Sequence, residues 1–246
     1  MGVDTPDIPP APKKTRKNRP ISKPSDTSTS KTVVQAAQES QARTETLAKA
    51  AEQAKGAPTL EALKVIMEEF DAGLLGDNAR HMVFGRGNPQ ADIMVIGESP
   101  SRDDDEAALP FTGMAGALLD KMFAAIGLDD TQMYITTACN WRAPQDRDPT
   151  EPELAMCAPF LKRHIELVAP KLVVIVGSVA LQALSGKPGI TKARGRWLDL
   201  DVGGIIVPAM PIYSPSYLIN QTSLKRDAWR DLLAIKGKMA ELLETD

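Results

Sequence analysis

Short apolar runs alternate with amphipathic stretches from residue 58 onward. The runs at residues 92–96, 133–137, 172–176 and 205–210 have the length and continuous apolarity of buried strands. Helical patterns lie between and around them, beginning with a helix that Thr59 caps. Because strands alternate with helices, the pattern predicts an α/β fold, a three-layer α/β/α domain around a central four-stranded, mainly parallel sheet.

The first 56 residues have a different composition. They contain no aromatic residue and run from a Pro/Lys/Arg-rich stretch through a Ser/Thr patch into an Ala-rich stretch at about 34–55. We expect two parts: a disordered basic arm over residues 1–56, in which the Ala-rich stretch favours a transient or docked helix, and a folded domain over residues 57–246.

Charge is unevenly distributed between these two parts. The arm holds ten Lys and Arg against six Asp and Glu, a net +4, which leaves −7 for the remainder of a chain whose total is −3. Two interpretations of the arm stay open: it contacts DNA phosphates without sequence preference, or it is a solubilising extension.

Composition excludes several classes of protein. Two cysteines cannot build a disulfide scaffold or a four-thiolate site, and two histidines, His81 and His164, leave little material for imidazole chemistry. No apolar run reaches the length of a membrane span and no secretory signal is visible, so we expect a cytoplasmic protein with no membrane partner.

Candidate chemistry follows the predicted strands, at the edge where parallel sheets place their sites. That edge carries residues 97–100, 137–142, 177–178 and 211–218. Neither a G-x-G-x-x-G segment nor a Walker loop is among them, which disfavours an enzyme that uses a nucleotide cofactor.

Residues 95–119 carry the strongest motif, VIGESPSRDDDEAALPFTGMAGALL. Further segments follow in order: YITT at 134–137, RAP at 142–144, RDPT at 147–150, RG at 194–195 and SPSYL at 214–218. This series resembles the uracil-DNA glycosylase superfamily, most closely family 4, the bacterial and archaeal iron–sulfur type. The resemblance covers about residues 58–243 and leaves the arm outside.

The resemblance implies a DNA-repair glycosylase that flips a damaged nucleotide into a pocket and hydrolyses its N-glycosidic bond. Glu98 would position water and balance the oxocarbenium-like transition state, and Phe111 would stack on the base. Gly97 and Ser99 belong to a turn whose N–H groups would face the leaving base. The alternatives are a capping carboxylate for Glu98 and an ordinary core aromatic for Phe111.

Two residues depart from the family pattern. Thr137 stands where the family carries the Asn that reads the uracil edge, and Ser214 stands where it carries a His facing the departing base. Loss of such a donor typically costs a factor of about 10²–10³ in rate. The enzyme is therefore slow, uses another donor set, or has stopped catalysing. Asn140, three residues after Thr137, is a candidate replacement for the amide.

The cysteine pattern of family 4 is also broken. Phe70, Gly73 and Trp141 occupy three of its four cluster positions, and Cys157 alone matches, while Cys139 is two residues out of register. A [4Fe–4S] cluster requires four thiolates. We therefore expect no cluster, no metal and no other cofactor, with Phe70 and Trp141 filling the space.

DNA contacts are expected from the same edge of the sheet. The residues are Arg142, Arg147, Arg194, Ser216, Leu218, Lys225 and Arg226, with Arg196 beside them. Leu218 and Ile219 occupy the family's wedge position, unless they pack under the last helix. Each basic residue has the alternative of an ordinary solvated charge.

The overall expectation is a monomeric, nucleoid-associated glycosylase acting on damaged DNA, single- or double-stranded. Since no lysine stands at a motif position to act as an amine nucleophile, a lyase step is not expected. Uracil, hypoxanthine and xanthine all stay open as the excised base. The rival interpretations are a catalytically impaired or inactive DNA-binding protein of the same fold, and an interaction module with no DNA affinity.

Overall fold

The structure, a computed structural model, describes residues 27–244, with side chains described for residues 40–242. Within these residues six strands form one sheet in the order β1-β3-β2-β4-β6-β5. The strands are β1 Arg86–Gly87, β2 Ile93–Gly97, β3 Met133–Thr137, β4 Leu172–Val176, β5 Leu198–Val202 and β6 Ile205–Ile212. The central four are parallel to one another, and β1 and β5 are antiparallel edges.

The four strands expected from the sequence are the four central ones, and the α/β class is confirmed. The sheet has two strands more than the four expected, because both edge strands lack an apolar run. β1 has two residues only, and β5 alternates exposed Asp199 and Asp201 with buried Leu200 and Val202. An edge strand with one solvated face gives this alternation instead of a continuous apolar run.

Helices cover both faces of the sheet. Their bounds are α1 Thr27–Gly56, α2 Leu60–Glu68, α3 Leu74–Asn78, α4 Arg102–Ala107, α5 Gly113–Ala124, α6 Glu151–Val168, α7 Ser178–Ser185, α8 Ile190–Ala193, α9 Pro215–Asn220 and α10 Lys225–Glu244. The predicted cap is confirmed, since Thr59 Oγ1 accepts the Ala62 N–H at 3.2 Å. At α6, Thr150 and Glu153 form a reciprocal capping box.

Alternation along the strands divides the core into two layers. Ile93 and Val95 of β2 pack on one face with α5 and α10, whereas Met94 and Ile96 pack on the other with α6 and α7. Both layers are closed, which accounts for the complete burial of β2, β3 and β4. The three-layer arrangement leaves the carboxyl ends of the parallel strands as the accessible edge.

The N-terminal region contains one long helix. The first 26 residues of the expected arm lie outside the described residues, while residues 27–56 form α1. Among the described residues, 43–244 belong to one compact unit and 27–42 to another. In the larger unit, Ala50 and Ala54 are buried with Ala57, Leu63 and Phe160, because small side chains four residues apart share one helix face. This unit begins earlier in the chain than the boundary expected at residue 57.

No helix among residues 27–244 has the length and apolarity needed to cross a membrane.

Candidate functional site

Glu98 follows the last residue of β2 and places its carboxylate at the N-terminus of α7. Its Oε1 accepts the Val179 N–H at 3.0 Å and the Ser178 hydroxyl at 3.4 Å. Gly177, at φ 96°, makes this approach possible, since a Cβ there would lie 2.3 Å from Glu98 Cδ. The Ser178 backbone N–H is a further hydrogen-bond donor to this carboxylate.

Burial dominates the electrostatics of this carboxylate. It raises the pKa of Glu98 above its ordinary value, and the charge of Asp148 adds to the rise, while the hydrogen bonds from Val179 and Ser178 oppose it. A carboxylate with a raised pKa is a stronger proton acceptor. Glu98 does cap α7, as the alternative interpretation has it, but it also lines the cavity and cleft described below.

Phe111 is held in an unusual backbone conformation beside Gly97. Its φ is 55°, a left-handed value that costs a non-glycine residue about 1–2 kcal/mol. A Cβ on Gly97 would lie 2.4 Å from the ring, and a Cβ on Gly116 would lie 1.8 Å from the Phe111 carbonyl oxygen. The absence of side chains at Gly97 and Gly116 thus leaves the space that the Phe111 ring and its backbone occupy.

Asp104 ties the Phe111 loop to the turn after β2. One carboxylate oxygen accepts the N–H and hydroxyl of Ser101, both at 2.8 Å, and the other accepts the N–H and hydroxyl of Thr112, at 2.6 and 2.8 Å. Sequence reasoning missed this role. The signal was present, because Ser101 and Asp104 have the spacing of a capping box.

Asp105, the next residue, organises a second loop. It accepts the backbone N–H groups of Arg80 and His81 at 2.8 and 2.9 Å and lies 3.5 Å from Arg142. Two members of the acidic cluster therefore position the surrounding chain. This role depends on residues far away in sequence, so the motif alone did not reveal it.

A small cavity of about 70 Å³ opens at the carboxyl ends of β2, β3 and β6. Five of the seven expected catalytic and base-binding residues line it, namely Glu98, Ser99, Phe111, Thr137 and Ser214, and Ser216 of the expected DNA-contacting set lines it too. A larger polar cleft of about 630 Å³ shares Glu98, Ser99, Ser101 and Ser216 with the cavity. Gly97 lies behind the Phe111 ring.

The two residues that depart from the family pattern present opposite hydrogen-bonding polarity. The Thr137 hydroxyl donates to the Cys139 carbonyl at 2.8 Å, so towards a ligand it can only accept. Ser214 is the N-cap of α9, and its oxygen accepts the Tyr217 N–H, which leaves its proton free to donate. The cavity thus offers one acceptor and one donor hydroxyl.

Asn140 is not brought to the cavity. Its amide nitrogen donates to the Val83 carbonyl at 2.8 Å, and the residue is only 1% exposed. After β3 the Cys139 N–H pairs with the Glu98 carbonyl, and this turn directs Asn140 towards residues 83–84. The amide expected as a base reader therefore supports a loop.

Leu218 does not lie on the surface where a wedge would act. It is 1% exposed and packs in the core with α5 and α10, the alternative that the sequence left open. The turn of α9 places its neighbours outward, with Tyr217 44% and Ile219 37% exposed.

Three of the expected DNA-contacting arginines are engaged in ion pairs. Arg142 pairs with Asp146 at 2.6 Å, and Arg194 pairs with Asp231 and donates to the Asp227 carbonyl at 2.8 Å. Arg147 forms a bidentate pair with Glu153, with both distances 2.7 Å. This hydrogen bonding lowers the pKa of Glu153 to about 2.

Other basic groups are more accessible. Lys225 and Arg226 are exposed at the start of α10, and Arg196 is exposed after α8. Arg102, which sequence reasoning did not single out, is exposed and lines the polar cleft next to Arg147. The accessible positive charge is therefore distributed differently from the expected set.

Neither histidine enters the cavity. His164 is buried, its Nε2 lies 2.9 Å from the Tyr134 hydroxyl, and its ring stacks on Phe84. Burial lowers the pKa of His164 to about 3, so the ring is neutral. Nδ1 of His81 lies 2.7 Å from the Asp105 carbonyl oxygen.

Aromatic rings occupy the region that corresponds to the family's cluster. Phe70 lies 4.9 Å from Phe160 and 6.2 Å from Trp141, measured between ring centroids. The buried Cys139 and Cys157 sulfurs are 3.5 Å apart. Their hydrogen bond, together with burial, raises the pKa of Cys157 and favours the thiol.

These residues do not fit an iron–sulfur cluster. In the part of the chain that the structure describes, no group of three or more His, Cys, Asp or Glu side chains could hold a metal ion. Two thiols supply half of the thiolates that the cluster needs.

The carboxyl edge of the parallel strands thus gathers a carboxylate, an aromatic ring and two hydroxyls around one cavity. The family model of the uracil DNA glycosylase superfamily matches residues 84–233. The chain therefore belongs to the uracil-DNA glycosylase superfamily, and the family and the hydrolase class expected from the sequence are confirmed.

Curated relatives agree with this assignment. The type-4 uracil-DNA glycosylase of Sulfurisphaera tokodaii is 34% identical over 160 residues, which cover 63% of this chain and 73% of the relative. That of Archaeoglobus fulgidus is 34% identical, covering 62% of this chain and 79% of the relative. That of Thermotoga maritima is 34% identical, covering 65% and 84%. The resemblance to family 4 is confirmed.

Proposed function

We propose that this protein is a monofunctional DNA-repair glycosylase that hydrolyses the N-glycosidic bond of deoxyuridine. The observation that carries the proposal is the cavity itself, where Glu98, Phe111 and Ser214 converge as the motifs require. The type-4 relatives support the same activity.

The geometry supports a role for each group. A flipped base would stack on the fixed Phe111 ring, and the Glu98 carboxylate would accept a proton from the attacking water. The Ser214 proton would stabilise charge on the departing base. The Ser101 N–H already donates to Asp104, so among the residues of this turn that line the cavity we assign the donor role to the Ser99 N–H.

Thr137 supports recognition of a deaminated pyrimidine. Its hydroxyl can only accept, so a base that turns its N3 towards Thr137 must carry a proton on that nitrogen. Uracil carries a proton on N3, whereas N3 of cytosine is a bare acceptor that would face another lone pair. The small cavity favours this single ring over hypoxanthine and xanthine.

A second candidate is a DNA-binding protein with little or no turnover. The observation that favours it is the absence of an imidazole among the side chains that line the cavity. Ser214 supplies one hydrogen bond, but it does not supply the charge that an imidazolium carries.

One experiment distinguishes the two candidates. Labelled oligonucleotides containing uracil, hypoxanthine or xanthine, single- and double-stranded, are incubated with the protein, and released base and alkali-labile sites are measured. Release of uracil supports the glycosylase. Binding in a low-salt shift assay without release supports the second candidate. A protein that does not bind the oligonucleotides and does not release a base would overturn both candidates and favour an interaction module.

We also propose that the protein carries no iron–sulfur cluster and acts as a monomer on damaged DNA at the cytoplasmic nucleoid. The aromatic packing of Phe70, Trp141 and Phe160 supports the first part. Protein purified under anaerobic conditions should be colourless and hold iron far below one cluster per chain. A brown chromophore with stoichiometric iron would overturn this part.

A further inference from the structure

An apolar groove lies between α5, α9 and α10. Its volume is about 210 Å³, and aliphatic side chains form most of its wall, including Leu118, Met122, Leu218 and Leu232. Trp229 lines the groove and is 41% exposed. The groove has no lining residue in common with the base cavity or the polar cleft, so base excision does not account for it.

The rim of the groove is positively charged. Lys121 and Lys225 both line it, and both are exposed. The acidic residues that lie next to them in the sequence are engaged elsewhere, since Asp120 pairs with Arg86 and Asp227 with Arg230. This positive rim stands on a folded part whose net charge is negative, because residues 57–246 carry −7.

We propose that this groove docks a peptide segment of a partner protein in which apolar side chains are flanked by Asp or Glu. The apolar wall would bury the Leu- or Phe-type side chains, and the two lysines would pair with the carboxylates. Docking on α5 and α10 would leave the base cavity open, because the groove and the cavity have no lining residue in common.

Charge complementarity disfavours the other occupants. Residues 1–26 of this chain hold six Lys and Arg against three Asp, so they would meet like charge at the rim. A second copy docking through the same groove would bring its own Lys121 and Lys225 to the same place. DNA phosphates could pair with the lysines, but they would leave the apolar wall uncovered.

Fluorescence anisotropy with the full chain tests the proposal. The probe is a fluorescein-labelled peptide of about ten residues in which Leu and Phe alternate with Asp. A control peptide carries Lys in place of Asp. We expect saturable binding of the acidic peptide alone, accompanied by a change in Trp229 fluorescence that is lost in Trp229→Phe.

Two substitutions and a matched control complete the test. Two substitutions in the groove lining, Lys121→Glu and Ala125→Glu, should each weaken peptide binding about fivefold to tenfold. Lys162→Glu, at an exposed position of α6 outside the groove, should leave peptide binding unchanged. All three should leave the uracil excision rate and the thermal midpoint unchanged.

Several results would overturn the proposal. These are equal binding of both peptides, insensitivity to Lys121→Glu and Ala125→Glu, or no binding at millimolar peptide. Concentration-dependent dimerisation that Lys121→Glu alters would instead assign the groove to a second copy. Failure of base excision leaves this test intact, because its readout is peptide binding.

Discussion

At the scale of single residues, the role of a hydroxyl group in the cavity depends on which acceptor its proton is donated to. The identities of Thr137 and Ser214 were readable in the sequence, and so was their departure from the family pattern. The direction of the Thr137 hydroxyl was not, because it depends on the Cys139 carbonyl that the turn after β3 brings within 2.8 Å. A conservative-looking polar residue thus became an acceptor-only group.

Thr137→Val tests this polarity. The substitution removes one neutral hydrogen bond, so kcat/KM for uracil should fall by about 3- to 10-fold. With N3-methyluracil, which has no N–H to donate, wild type and variant should excise at equal rates. An equal loss on both bases would show that Thr137 acts by packing alone.

His164 makes stability depend on pH. Its folded pKa of about 3 lies below the ordinary 6.5, so the unfolded chain takes up the proton first as pH falls. The contribution of the neutral ring to the free energy of unfolding is therefore complete above about pH 6.5. As the pH falls from there towards 3, this free energy decreases by about 1.4 kcal/mol per pH unit. Denaturant unfolding at several pH values should show a shallower slope for His164→Gln, with His81→Gln as the control. Equal slopes in all three proteins would contradict this assignment.

At the scale of elements, burial determines which predictions succeed. The four central strands were predictable because both of their faces are covered, while β1 and β5 were not, since an edge leaves no continuous apolar run. The register of α9 was also undetermined. Leu218 and Ile219 are both apolar, and only packing against α5 and α10 decides which one faces inward.

This register has a measurable consequence. Leu218→Ala should lower the free energy of unfolding by about 2–5 kcal/mol, as for other buried leucines. Ile219→Ala should change it by less than about 0.5 kcal/mol. Urea titrations of the two variants compare them directly, and the reverse order would mean that α9 is rotated.

The loop between α4 and α5 depends on one carboxylate. Asp104→Ala leaves the N–H and hydroxyl groups of Ser101 and Thr112 without their acceptor, so stability should fall by about 1–3 kcal/mol. The Phe111 loop should loosen, and KM for the uracil substrate should rise. Asp103→Asn, at an exposed position in the same cluster, is the control in a thermal melt. Similar losses of stability in both variants would contradict the role assigned to Asp104.

At the scale of the whole molecule, the residues that the strands bring together could be predicted from the sequence, whereas the partners of the charged residues could not. Parallel strands place their carboxyl ends on one edge, and so the convergence of Glu98, Thr137 and Ser214 followed from their positions after strands. The ion pairs did not, because the partners of Arg142, Arg147 and Arg194 are fixed by local packing. Because those arginines are engaged in ion pairs, contact with DNA depends on the few basic side chains that are more accessible.

The central claim is that Glu98 performs the chemistry of this cavity, and the single-turnover rate of uracil release tests it most directly. Glu98→Gln keeps the size and the polar contacts of the side chain but cannot accept the proton from water. The rate should fall at least about hundredfold. Glu106→Gln, the same change at an exposed position of α4, should match wild type. A Glu98→Gln protein that retains wild-type speed would contradict the account.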